Sequence, residues 1–154
     1  MKIKLICIGK PKFSFIKEGV NHFSKVINQL IEFDLVQLPD VRISKKNYEI
    51  LKRKEAVLLK KEFKKCSQIY LFDEQGKEYT SYEFASFIDR QILNSVKTLC
   101  FVIAGAYGFD VAIKKEYAQI ALSKMTFPHD LVRIIAMEQI YRALSIIKGK
   151  KYHH

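Results

Sequence analysis

The sequence predicts an α/β protein: one domain built on a mostly parallel sheet flanked by helices. Three observations predict it. Short β-rich runs alternate with longer stretches of helical period along the whole chain. Leu99-Cys-Phe-Val-Ile103 is apolar throughout, as a strand buried on both faces requires. The 154 residues contain no repeat, linker or low-complexity stretch, so residues 1–154 read as a single domain with enough chain to bury a core.

The elements follow in order. Ile3 to Ile8 is a strand closed by Gly9, and a loop runs on through Pro11. From about Phe13 to Leu30, Phe15, Ile16, Val20, Phe23, Val26, Ile27 and Leu30 recur at helical spacing. Phe33 to Leu38 is the second strand, stopped by Pro39-Asp40. A long, highly charged helix is expected from about Ser44 to Lys65, with Ile50, Leu51, Val57, Leu58 and Phe63 on its apolar side. Ile69 to Phe72 is the third strand, running into Asp73-Glu-Gln-Gly76, and Ser81 to about Leu93 is helical. The Leu99–Ile103 strand ends in Ala104-Gly-Ala-Tyr-Gly108. A short helix from about Val111, a short strand from about Ala118 to Leu122 and a final helix from about His129 to Lys148 complete the chain. Alternating elements joined by short loops imply layered packing around parallel strands.

Composition narrows the class of partner. Lys plus Arg number 27 against 16 Asp plus Glu, a formal charge of +11, with a pI near 9.5. Such an excess favours a polyanion, nucleic acid foremost. Lysine is also ordinary on solvated faces, so charge by itself leaves both readings open. Cys7, Cys66 and Cys100 lie in or beside apolar runs without C-x-x-C spacing. They are expected as small buried hydrophobes in a reducing cytosol, neither metal ligands nor disulfides. Met1 to Ile8 is too short and too charged for a signal peptide, and no stretch approaches a membrane span. The expectation is a cytoplasmic, soluble protein with no metal.

Ligands of open parallel sheets bind beyond the carboxyl ends of the strands. Three such ends stand out: Phe72 to Gly76, Ile103 to Gly108, and Leu122 to Phe127. Gly105 and Gly108 let backbone turn sharply or approach a ligand closely, and spacing alone favours a plain tight strand-to-helix turn. There is no G-x-G-x-x-G and no Walker motif, so ordinary dinucleotide or NTP binding has little support. Ahead of the final helix Thr126 is placed to cap, Pro128 suits the first turn, and Asp130 complements the helix dipole. Arg133, Met137, Ile140, Leu144 and Ile147 form one stripe, while Leu131, Ile134, Ile135 and Tyr141 face elsewhere. That is more apolar surface than one sheet face covers, and a self-complementary dimer seam is the natural use for it. Glu138 and Arg142, four apart, make either a plain helix ion pair or an anion site at that seam. His129 reads as a helix-terminus hydrogen-bonder. Lys148-Gly-Lys-Lys151 followed by Tyr152 and His153 suits a phosphate-plus-base contact.

Taken together these segments resemble the SPOUT-class methyltransferases that modify N3 of a pseudouridine in large-subunit ribosomal RNA. The resemblance spans essentially the whole chain. Its specific parts are Leu71-Phe-Asp-Glu-Gln-Gly-Lys77 with Ser81 and Phe84-Ala85, then Phe101-Val-Ile-Ala-Gly-Ala-Tyr-Gly108. Leu122-Ser-Lys-Met-Thr-Phe-Pro-His129, Arg133, Glu138-Gln-Ile-Tyr-Arg-Ala143 and the Tyr152-His153 ending follow. The resemblance implies a C-terminal trefoil knot, an exception to the rule that chains avoid knots. It also implies a homodimer and a bent S-adenosylmethionine held at Phe72, Ala104, Gly105, Leu122, Ser123, Lys124, Met125, Thr126 and Phe127. The family usually carries Gly-Gly where this chain has Ala104-Gly105, a departure that matters if Ala104 needs positive φ.

The implied reaction is in-line displacement, with N3 of the base attacking the sulfonium methyl, helped mainly by positioning. Tyr152, His153 and Arg142 are the implied catalytic group, the tail of one subunit reaching its partner's site. Arg133 and His129 are implied substrate contacts. No residue is assigned as general base. Recognition would come from the dimer surface and the assembled ribosome. The alternative is a non-catalytic RNA- or ribosome-binding factor of the same fold.

Overall fold

The structure is a computed structural model that describes residues 1–43, 47–150 and 152. Five strands, β1 (Lys2–Ile8), β2 (Glu32–Leu38), β3 (Gln68–Glu78), β4 (Thr98–Ile103) and β5 (Ala118–Ala121), alternate with five helices. These are α1 (Ser14–Asn28), α2 (Tyr48–Phe63), α3 (Ser81–Leu93), α4 (Val111–Glu116) and α5 (His129–Ile147). The strands form one sheet in the order β2-β1-β4-β3-β5, and its strand pairs run parallel.

The two-residue period of the central strands builds two cores. Odd positions Ile3, Leu5, Cys7, Leu99, Phe101 and Ile103 meet α1, α3 and α5 on one face. Even positions Ile6, Ile8, Cys100 and Val102 meet α2 and α4 on the other. Helix α5 packs over the first face through Ala136, Met137, Ile140, Ala143 and Leu144. The Ala residues at 136 and 143 let its backbone come close, so part of the expected apolar excess is already consumed inside the chain. Leu131 stays exposed, and Ile134, Ile135 and Tyr141 are half-buried.

The ends of the helices use different chemistry. Thr80, one residue before the expected start, caps α3 in a capping box: its hydroxyl accepts from Glu83 N, and the Glu83 carboxylate accepts from Thr80 N. Asn47 caps α2 through Ile50 N at 3.2 Å. The expected helix start at about Ser44 lies outside the described residues. Thr126 does not cap α5. Pro128 occupies the N-cap position without a side-chain cap bond, and the Thr126 hydroxyl instead donates to the Glu74 carboxylate.

Strand β3 is longer than its apolar run. Phe72 and Lys77 both register with Ile120, so residues 73–76 bulge out before β3 rejoins β5. Gly76 makes this possible: a Cβ there would lie 2.5 Å from Gln119 C and Ile120 N. The bulge carries Asp73, Glu74 and Gln75 to the carboxyl edge of the sheet.

The cysteine expectation needs correction. Cys66 and Cys100 are joined in a disulfide with Cα atoms 6.0 Å apart, and Cys7 remains as a buried free thiol. Burial pushes the Cys7 thiol up to about 12. The separation of 34 positions between Cys66 and Cys100 gave no spacing signal. Their proximity comes from α2 ending against β4. No helix among the described residues is long and apolar enough to cross a membrane.

Candidate cofactor and active site

Beyond the carboxyl ends of β3, β4 and β5 lies a cavity of about 900 Å³, at the upper end of the range for small-molecule sites. Three segments wall it. Phe72 and the 73–75 bulge come from β3, residues 103–109 from the loop after β4, and Leu122, Ser123 and 125–129 from the loop after β5. Of the nine expected cofactor contacts, Phe72, Ala104, Gly105, Leu122, Ser123, Met125, Thr126 and Phe127 line it. Lys124 does not: it turns outward to Glu78, 3.4 Å away.

Each wall has its own support. Phe72 is stacked on Phe101, ring centroids 5.2 Å apart, which fixes β3 just before its bulge. Lys114 of α4 ties the bulge down, 3.0 Å from Asp73 and 2.8 Å from Gln75. Ser123 Oγ accepts from Met125 N, turning the third loop back on itself. Among the described residues Ser95 is the non-glycine residue with positive φ. Ala104 therefore sits in ordinary backbone, and its methyl replaces a glycine hydrogen without strain. Gly108, at φ +77°, does need its lack of a side chain.

A buried acid stands behind the second wall, and the sequence reading missed it. Glu55 is 6% exposed and its carboxylate accepts from Gly105 N. A Cβ on Gly105 would fall 2.5 Å from Glu55 Oε1, so Gly105 is required for this approach. Burial pushes the Glu55 carboxyl up to about 7, Asp40 acting in the same direction and the Gly105 amide opposing. The signal was present: Leu51, Glu55 and Leu59 share one helical row, an acid between two buried leucines. The heavy charge of α2 concealed it.

His129 lines the cavity from the start of α5. Burial holds its imidazole below the usual pKa, and Asp130, 3.5 Å away, opposes that. Arg133 corrects an expectation. It is fully buried, with Nη1 donating to Gly9 O at 2.8 Å and Nη2 to Ile8 O at 2.6 Å. Its Nε lies 3.5 Å from Asp130 Oδ1. The guanidinium caps the end of β1 and offers no surface to a substrate phosphate.

Arg142 and Tyr152 form a second cluster. Arg142 pairs with Glu138 at 2.6 Å and lies 5.0 Å over the Tyr152 ring. The Tyr152 hydroxyl is 3.5 Å from Glu138 Oε1, and Tyr141 packs against that ring edge-on at 4.7 Å. Within one chain the helix ion pair, the first of the two readings the sequence left open, is formed, and the Tyr152 ring packs on it. His153 and His154 lie outside the described residues. At 1.5 Å per residue along α5, Arg142 stands about 20 Å from His129 and about 15 Å from Val132, which also lines the cavity. One chain does not bring its two sets of expected functional residues together.

The comparisons with known proteins agree with this layout. Residues 1–153 match the family described as predicted SPOUT methyltransferase. The ribosomal RNA large subunit methyltransferase H of Cytophaga hutchinsonii is 40% identical over the full length of both chains. The proteins of that name from Parabacteroides distasonis and Flavobacterium psychrophilum are each 38% identical over 100% of this chain and 99% of theirs. With the whole chain matched and the motif segments gathered around one cavity, this protein belongs to the SPOUT methyltransferase family.

Proposed function

We propose that this chain is an S-adenosylmethionine-dependent methyltransferase that acts on N3 of a pseudouridine in large-subunit (23S) ribosomal RNA, in the cytoplasm and on the assembled ribosome. The observation that carries the reading is the convergence of Phe72, Ala104-Gly105 and Leu122–Phe127 on one cavity. The cavity fits the methyl donor. It is large enough, its second wall is bare backbone at Gly105, and Asp73 and Glu74 at its edge suit a cationic ligand. S-adenosylmethionine, when bound, supplies the electrophilic methyl group. The chain's own residues hold and orient: Phe72 and Leu122 offer apolar surface, and the 104–105 and 122–127 backbones offer amides and carbonyls. The three walls hold the donor in a fixed orientation toward the open side of the cavity.

The distance between the cavity and the Arg142–Tyr152 cluster supports a homodimer in which one subunit's tail serves its partner's cavity. Tyr152, His153 and Arg142 then hold the base and its phosphate; His129 contributes from the cavity side. The return of the chain from edge strand β5 to α5, over the core between α1 and α3, supports a threaded C-terminal knot. The non-catalytic alternative drew its support from Ala104, and the ordinary φ there removes it.

Two measurements test the proposal. Calorimetry with S-adenosylmethionine should show saturable binding, and labelled methyl should pass to ribosomes lacking the modification in preference to free RNA. No binding at millimolar donor, or no transfer to any ribosomal particle, would sink it. Mixing a Tyr152→Phe chain with a Phe72→Ala chain tests the shared site. Inactive homodimers that regain part of their activity on mixing support it, and no recovery in verified mixed dimers refutes it.

A further inference from the structure

Tyr48 and Tyr107 form an aromatic pair at the mouth of the cavity. Their ring centroids lie 3.9 Å apart with 23° between the planes. Tyr107 belongs to the loop after β4 and lines the cavity, while Tyr48 opens α2. The rings are 40% and 50% exposed, so each is covered by the other and open on its remaining side. Neither belongs to the cofactor wall expected from sequence or to the Arg142–Tyr152 cluster.

The charge beside the pair indicates what covers it. Lys52 follows Tyr48 by four residues on the same face of α2 and lines the same cavity. It pairs with Glu49 at 2.6 Å, an (i, i+3) contact whose Glu49 side is exposed to solvent while Lys52 is half-buried. Arg53 and Lys54 come next and are exposed. Open aromatic rings flanked by cations match the two surfaces of an unpaired nucleotide: the ring takes the face of the base, the cations its phosphates. The formal charge of +11 favours such an anionic partner over another protein.

We propose that Tyr48 and Tyr107 are a stacking platform for an unpaired nucleobase of the RNA substrate, held at the rim of the methyl-donor cavity. The proposal rests on the RNA-directed reading above. It adds a subsite on the cofactor-bearing subunit, whereas Tyr152 approaches from its partner.

The test compares Tyr48→Ala and Tyr107→Ala with Tyr48→Phe and Tyr107→Phe, which keep the rings and lose the hydroxyls. Affinity for unmodified large ribosomal subunits and for a short labelled single-stranded RNA is measured directly. Donor affinity comes from calorimetry and self-association from sedimentation. Each Ala variant is expected to bind RNA about tenfold more weakly, the Phe variants to bind normally, and Tyr48→Ala to keep its donor affinity. Unchanged RNA affinity in the Ala variants overturns the proposal, as does absence of RNA binding by the native chain. Loss of donor binding alone would assign the rings to the adenine, and loss of self-association alone to a subunit contact; either overturns it. Methyl transfer is followed in parallel. A native chain that binds RNA through these rings and transfers no methyl loses the enzyme reading and keeps the platform.

Discussion

Replacing Glu55 with Gln separates the cost of a buried charge from the value of its hydrogen bond. Burial raises the Glu55 carboxyl from 4.5 to about 7, so the folded chain favours the protonated form. Between those two values the folded state binds more protons than the unfolded state, and stability falls as pH rises through the window. Above the folded value the cost is complete. The gap between 4.5 and about 7 corresponds to roughly 3 kcal/mol. Gln carries no charge and keeps an oxygen to accept from Gly105 N. Urea unfolding at pH 8 should therefore show Glu55→Gln more stable by roughly 2–3 kcal/mol, and at pH 5 nearly equal to the native chain. His129 titrates with the opposite sign, its lowered pKa adding stability as pH rises, but both chains carry it and the difference cancels. Parallel pH profiles for the two chains would refute the reasoning. So would a Gln variant less stable at pH 8, since the ionised carboxylate would then be a favoured state.

Arg133→Met should cost about 3–5 kcal/mol in urea unfolding, because it strands buried Asp130 and the Ile8 and Gly9 carbonyls. A cost under about 1 kcal/mol would return Arg133 to the surface and to its expected substrate role. Thiol titration of the unfolded chain should find one reactive cysteine without reductant and three with it. Closing a 34-residue interval contributes about 4 kcal/mol in the chain-entropy account, so reductant should lower the midpoint of thermal unfolding; an unchanged midpoint refutes that contribution. Gly76→Ala places a methyl 2.5 Å from β5 backbone atoms and should cost at least about 2 kcal/mol. A melting temperature equal to the native one would show that the bulge gives way.

The elements were legible where local pattern and burial coincide. Leu99–Ile103 reads as a central strand because both of its faces are covered, and its neighbours confirm that. The start of α3 at Ser81 was legible, and the Glu83 contact that makes Thr80 its cap is what the structure adds. The strand order was not legible, since it depends on which faces α1 to α5 cover. The bulge at 73–76 has no apolar signature because its side chains serve the cavity. The convergence of the three loops followed from the strand-end rule and the family motifs. The fate of Arg133 did not: a guanidinium satisfied by backbone carbonyls more than a hundred residues away leaves no trace in its own surroundings. Residues in rows such as Leu51-Glu55-Leu59 need to be read against their helix face, not against the charge of the whole helix.

The contacts of α5 bear on how the chain acquires its shape. Arg133 bonds to Ile8 and Gly9, Asp130 accepts from Lys12 N at 3.3 Å, and Lys148 donates to Leu30 O at 2.6 Å. The last helix thus fastens the first thirty residues across nearly the whole sequence. Contacts of such separation slow folding, because the loop-closure entropy comes due before the contact can form. During synthesis from the amino end, β1 and α1 emerge long before the helix that completes their core. Until release of the final segment, the apolar face formed by Ile16, Val20 and Ile27 of α1 lacks its α5 cover. Truncation before α5 should therefore leave an aggregation-prone intermediate instead of a smaller stable domain.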